Sequence, residues 1–232
     1  MIPIRDINPS ASRPIVTRTL IAVNCAVFVY ELMLGSSLRG FMYEWGMVPA
    51  RLTMALGGSD TAFGGALGTV FTSMFLHGGW AHLIGNMWYL WIFGDNVEDR
   101  LGPARYLLFY LTAGVVSALV HYASNRASMV PTVGASGAIA GVLGAYAVAF
   151  PRARVVTLVP LVIFFQLVTL PALLVLGLWF VFQLFTGTLA LAGTPGGGGV
   201  AWWAHIGGFV FGGVAMAFLN RHRYRRGGRR LA

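Results

Sequence analysis

Apolar and polar positions in this chain alternate on the scale of whole helices. Apolar stretches at about residues 18–34, 70–93, 104–123, 135–150, 170–191 and 202–220 are separated by polar or Gly- and Pro-rich connections. A helix needs about 20 apolar residues to cross a hydrocarbon core of ~30 Å, and these six segments meet or approach that length. The pattern predicts an all-α membrane protein with six transmembrane helices and no soluble second domain. It divides into a tail at 1–17, a six-helix unit at 18–220 and a basic tail at 221–232.

The connections refine this picture. Residues 35–68 are Gly-rich and carry Arg39, Glu44, Arg51 and Asp60, which keep them out of lipid, interleaved with Phe41, Trp45, Met47 and Leu52. This predicts a long first loop, folded at the membrane interface. Residues 94–100, with Asp95, Glu98, Asp99 and Arg100, read as a charged turn closing the second span. Pro151, Arg152 and Arg154 end the fourth. The uncharged run 155–194 is too long for one span, and Pro160 and Pro171 divide it into an interfacial approach and a fifth helix. The Gly-rich segment 193–199 reads as a flexible connector.

Composition agrees: 57% hydrophobic and 10% charged residues exclude an average soluble domain. All 16 basic residues are arginine, and Arg221, Arg223, Arg225, Arg226, Arg229 and Arg230 cluster after the last span. Such a cluster has a topological explanation and suits anionic lipid headgroups, so no nucleic-acid partner is expected. Placing both termini in the cytoplasm leaves only Arg39, Arg51 and Arg126 outside. The expected location is therefore the cell membrane, multi-pass, with both termini inside. The lone Cys25 can form no intrachain disulfide and reads as a packed core residue. The segment before the first span, with Pro3, Pro9 and Pro14, reads as a short tail leading into a retained span.

The fourth span is short. Residues 136–150 give roughly 22 Å of helix at 1.5 Å per residue, about 8 Å less than a ~30 Å core. Because Pro151, Arg152 and Arg154 pin its far end at the interface, the deficit falls at Ser136, which should lie below the outer surface in a cavity that admits water.

Ser136 opens that helix within Gly134-Ala135-Ser136-Gly137. It reads either as an ordinary N-cap beside a small-residue packing face or as a nucleophile whose first-turn N–H groups can stabilise an oxyanion. His205, in the sixth helix, reads either as a histidine bonded to a neighbouring carbonyl or as a functional intramembrane group. Gly137, Gly141 and Gly144 on one helix, and Gly208 and Gly212 on the other, form complementary small-residue faces. If those faces pack, His205 can act as general base toward Ser136. Neither helix contains a carboxylate, so a dyad is expected. His82 and Asn86, four apart in the second span, share a face and can both donate hydrogen bonds to an oxyanion. His77 and His82 do not line up as ligands on a helix, so neither metal nor cofactor is expected. His77 reads instead as a structural hydrogen bonder that orders the first loop.

These residues resemble the rhomboid family of intramembrane serine proteases. The resemblance rests on Gly134-Ala135-Ser136-Gly137 for a GxSG motif, on His77, His82 and Asn86 for HxxxxHxxxN, and on Ala204, His205 and Gly208 for AHxxG. It implies a six-transmembrane-helix rhomboid bundle with Ser136 as nucleophile and His205 as base. It further implies that His82, Asn86 and the Ser136 amide form the oxyanion hole and that Gly134 leaves room for substrate. Residues 96–102 are similar to the family's charged turn, in which a glutamate and an arginine brace the cytoplasmic side. The Trp-Arg pair common in the family's first loop is not evident here.

The expected activity is endoproteolysis of transmembrane segments of other membrane proteins near the outer face. Substrate helices should unwind easily and carry small residues at the cut. The alternative is a non-proteolytic rhomboid-like protein that binds or escorts membrane clients. Partners are membrane-protein substrates and lipids; oligomeric state is not legible.

Overall fold

The structure, a computed structural model, describes residues 1–58, 63–161, 164–192 and 201–228. Among them, strand β1 (Ile2–Asp6) precedes helices α1 (Ile15–Met33), α2 (Leu38–Trp45), α3 (Pro49–Leu56), α4 (Phe63–Thr72), α5 (Trp80–Leu101), α6 (Pro103–Ser124) and α7 (Ser136–Ala149). Strands β2 (Arg154–Leu161) and β3 (Phe164–Pro171) and helices α8 (Ala172–Ala192) and α9 (Trp202–Gly228) follow. Asp60, the Gly-rich segment 193–199 and residues 229–232 of the basic tail lie outside the described residues.

Four of the helices are long and apolar enough to cross a membrane: α1, α6, α8 over Ala172–Leu189 and α9 over Trp202–Asn220. They make the chain an integral membrane protein. Helix α7 is apolar but has only 14 residues. Helix α5, with 22, is long enough but carries a polar C-terminal third.

The all-α expectation needs correction, because β1, β2 and β3 form an antiparallel sheet in that order. Val155, Val156, Thr157, Val159, Val168 and Thr169 are β-branched and favour strands, whereas mean hydropathy alone cannot tell a strand from a buried helix. Pro160 is tolerated because β1 reaches only as far as Leu158, so residue 160 pairs on one side, with Phe165. The expected interfacial approach to the fifth helix is thus a hairpin, and the N-terminal residues 2–6 are a strand.

The second apolar stretch is divided as well. Val70 ends up in α4, and α5 starts only at Trp80, after Gly79 at φ +153°, a conformation that favours glycine. The charged turn is helical, since α5 runs on to Leu101. Its polar groups find partners in the N-terminal segment. Buried Glu98 accepts the Val16 and Thr17 backbone N–H groups and the Thr17 hydroxyl, each at 2.8 Å, and so caps α1. Asp99 accepts the Ser12 N–H at 2.9 Å, and Arg100 donates to Asn220 of α9 at 2.9 Å. Cys25, expected in the core, is exposed on the outer face of α1.

At the centre stands α7, buried from Gly137 through Tyr146 and packed against α5, α6, α8 and α9. Its approach to α9 brings backbone against backbone. A Cβ at Gly208 would lie 2.1 Å from the Gly137 carbonyl oxygen, and one at Gly212 would lie 1.9 Å from that of Gly141. At the sheet end, the Tyr146 hydroxyl donates to the Asp6 carboxylate at 2.8 Å and the Asn96 amide donates to it at 3.1 Å. Burial pushes Asp6 up from 3.8 to about 6, the neighbouring Asp95 adding to the rise and the Tyr146 hydrogen bond opposing it.

Two outcomes follow. Gly208→Val should lower the thermal midpoint of the detergent-solubilised protein sharply or prevent folding, because neither helix can retreat without opening the core; a midpoint equal to wild type would refute the backbone contact. The raised Asp6 group contributes stability that is fully present below 3.8 and is lost as pH rises through about 6. Wild type should therefore lose more thermal stability between pH 4 and pH 7 than Asp6→Asn does, and equal losses would remove Asp6 from the account.

Candidate active site

Ser136 is the first residue of α7 and His205 sits in the first turns of α9. The glycine contacts that seat α9 on α7 bring their ends together, and the His205 Nε2 to Ser136 Oγ distance is 2.7 Å. His205 is buried at 7% exposure. The Ser117 hydroxyl of α6 donates to the Ala204 carbonyl at 2.8 Å, just before the histidine. A Cβ at Gly137 would fall 1.8 Å from that hydroxyl oxygen, so α6, α7 and α9 interlock directly behind the Ser–His pair.

The chain enters α7 through an extended segment anchored on its partners. Met47, between α2 and α3, exchanges two backbone hydrogen bonds with Thr132, at 3.1 and 2.8 Å, and the Gly134 N–H donates to the Ser73 carbonyl at 2.8 Å. The residues between α2 and α3 therefore hold the segment leading to the serine. This role fell to Met47, whose only sequence signal was an apolar residue in a polar segment; it is fully buried.

Gly134 has φ +127°, and a Cβ there would lie 2.6 Å from His82 Nε2 and 3.6 Å from Ser136 Oγ. His82 Nε2 and Ser136 Oγ thus both lie close to residue 134, an approach that only a residue without a side chain allows. The Gly78 N–H donates to His82 Nδ1 at 3.4 Å, which leaves the His82 proton on Nε2, toward Gly134. Asn86 is buried one turn further along α5, and its amide pairs with His77 Nε2 at 3.0 Å. His77 therefore braces Asn86. Its backbone N–H donates to the buried Glu31 carboxylate of α1 at 3.1 Å, so its contacts run to α1 and α5 more than to the first loop. A cavity of about 560 Å³ lies beyond His77 and Gly78, bounded by Phe28, Glu31, Arg39, Met42 and Val133.

His205 has a further partner that sequence reasoning missed: its Nδ1 lies 2.7 Å from Gln183 Oε1 of α8. The signal was present, because a single amide side chain in a 21-residue apolar helix is costly in lipid. Trp179 and Trp202 flank the imidazole with ring centroids at 5.9 and 6.3 Å. Among the described residues no three His, Cys, Asp or Glu side chains converge, and His77 meets His82 edge to face at 5.2 Å as a ring contact. The arrangement is chemically suited to transferring a proton from a serine hydroxyl to a neutral imidazole, with the His82 N–H close by.

A profile of the Rhomboid domain matches residues 64–222, more than half of the chain. The chain is similar to the rhomboid protease GluP of Bacillus subtilis (strain 168), 46% identical over 76 residues, 33% of this chain and 14% of that protein. It is similar to the putative rhomboid protease YdcA of the same organism, 38% identical over 77 residues, 33% of this chain and 38% of that one. It also matches the mitochondrial presenilin-associated rhomboid-like protein A of Danio rerio, 36% identical over 95 residues, 40% of this chain and 25% of that protein. Each match spans well under two thirds of the relative's own length. The profile match, with the serine, histidine and glycine positions lying inside it, makes this chain a member of the rhomboid family.

Proposed function

We propose that this protein is an intramembrane serine endopeptidase that cuts transmembrane segments of other membrane proteins near the outer membrane face. The observation that carries this reading is the 2.7 Å contact between Ser136 Oγ and His205 Nε2, made where two small-residue helix faces meet. In the first half-reaction Ser136 Oγ forms a bond to the scissile carbonyl carbon while its proton passes to His205 Nε2. His82 Nε2–H, the Asn86 amide and the Ser136 N–H stabilise the oxyanion. His205 then gives the proton to the departing amine as the C–N bond breaks, and water, activated by the same base, hydrolyses the acyl-enzyme.

The proposed topology has six spans, residues 18–220, with α5 and α7 joining the four long apolar helices. Both termini lie in the cytoplasm of a cell membrane, and the arginine distribution supports this orientation. With 14 residues, α7 is about 21 Å long, so the Ser136 end falls below the outer surface of a ~30 Å core. A substrate helix must unwind to present a carbonyl there. The close packing of His82 against Gly134 leaves little room beside the serine, which favours small residues at the cut. The relatives' names support proteolysis, and no specific observation favours client escort instead.

Labelling by a fluorophosphonate probe, and cleavage of a model transmembrane substrate, should both be present in detergent-solubilised wild type and both vanish in Ser136→Ala. A folded wild type showing neither would overturn the proteolytic reading. Gly134→Ala should slow both by about 100-fold or more, on the scale of losing one oxyanion donor, because its Cβ would displace His82 and strain the backbone. Labelling at the wild-type rate would separate His82 from the reaction.

A further inference from the structure

We propose that Gln183 is a positioning residue for His205, fixing the imidazole tautomer in which Nε2 is free to take the serine proton. This rests on the Ser136–His205 reading above and assigns the third member of the constellation, which sequence reasoning had limited to two. A neutral imidazole carries one proton, on either nitrogen. Only the form with the proton on Nδ1 presents a lone pair to Ser136. The other form directs Nε2–H at the serine and has no basic nitrogen there.

The surroundings of His205 select between these forms. Gln183 Oε1, 2.7 Å from Nδ1, is a pure acceptor and therefore requires the proton on Nδ1. Nε2, on the opposite side of the ring, faces Ser136 Oγ at 2.7 Å. The neighbouring rings do not choose: Trp179 lies beside the imidazole at a 35° tilt and Trp202 meets it edge to face. Gln183 is 5% exposed, so the contact is largely shielded from bulk water. Neither α7 nor α8 contains an acidic residue.

The amide also suits the change of charge during reaction. When His205 accepts the serine proton it becomes an imidazolium, and the Nδ1–H to Oε1 bond turns into a charge-assisted one, stronger than before. Soluble serine hydrolases use a buried carboxylate for this task. A carboxylate inside a membrane would have to be desolvated permanently, whereas an amide oxygen orients the ring without a standing charge. Gln183 lies one turn from Trp179 on α8, so a single helix supplies both the hydrogen bond and a ring contact to the same imidazole.

The test combines a spectroscopic with a kinetic readout on the full chain in detergent. Nitrogen-15 spectra of labelled histidine should show His205 protonated on Nδ1 in wild type. Gln183→Leu should mix the tautomers and lower kcat for a model transmembrane substrate by about 10-fold or more, the scale of one hydrogen bond, with KM little changed. Gln183→Glu, whose buried carboxyl when neutral keeps a carbonyl acceptor in the same place, should restore both. If the branched side chain disturbs folding, Gln183→Met gives the same comparison with an unbranched one. A Leu or Met variant with the wild-type tautomer and kcat would overturn the proposal. A tautomer that responds to Gln183 in a protein that cleaves nothing would support the positioning contact while overturning the proteolytic reading, because the spectrum needs no turnover.

Discussion

The approach of the α7 backbone to α9 is the contact on which the rest depends. Lipid offers little hydrophobic drive for helices to associate, so they are held by van der Waals contact and by the few polar groups that reach across. Where glycine faces glycine, carbonyl oxygens of one helix come to lie in space that any Cβ on the other would fill. That interlock is steep: a single added methyl forces the helices apart. The same steepness makes the Ser136–His205 distance reproducible, since both residues ride on the ends of the interlocked helices.

The serine is also held from the other side. The segment before α7 is tied to Met47, between α2 and α3, and to Ser73 through Gly134, while α5 brings His82 close to the glycine. Behind α5, Glu31 and His77 brace Asn86. At the far end Glu98 caps α1 from within the bundle, a buried polar group made tolerable by three donors. These polar contacts lie at the two ends of the bundle, and between them α7 carries an almost unbroken apolar surface.

Much of this was legible in the chain. The small-residue spacing on α7 and α9 gave the packing, and the Ser136 and His205 positions gave the contact, because helical periodicity converts spacing directly into a shared face. What was not legible depends on residues far apart in sequence. The sheet was hidden because residues 155–171 are uncharged and apolar, a composition that suits strand and helix alike, and its pairing with residues 2–6 leaves no local trace. Helix α5 extended through Asp95 to Arg100 because its acids cap a helix some 80 residues away. Gln183 was passed over because hydropathy averages it into its neighbours. The role of Met47 lies in its backbone, which side-chain reasoning does not weigh.

The sheet has a consequence in time as well as in space. Strand β1 includes the first residues of the chain, yet Ile2 pairs with Leu158. At ribosomal rates of about 5–20 residues per second, β1 waits roughly 8–30 s for its partner to be made. Helices α1 to α7 must all be made before β1 has anything to pair with. Strand β1 is therefore made long before its partner, and whatever escorts a nascent membrane protein meets it as an unpaired, partly apolar edge.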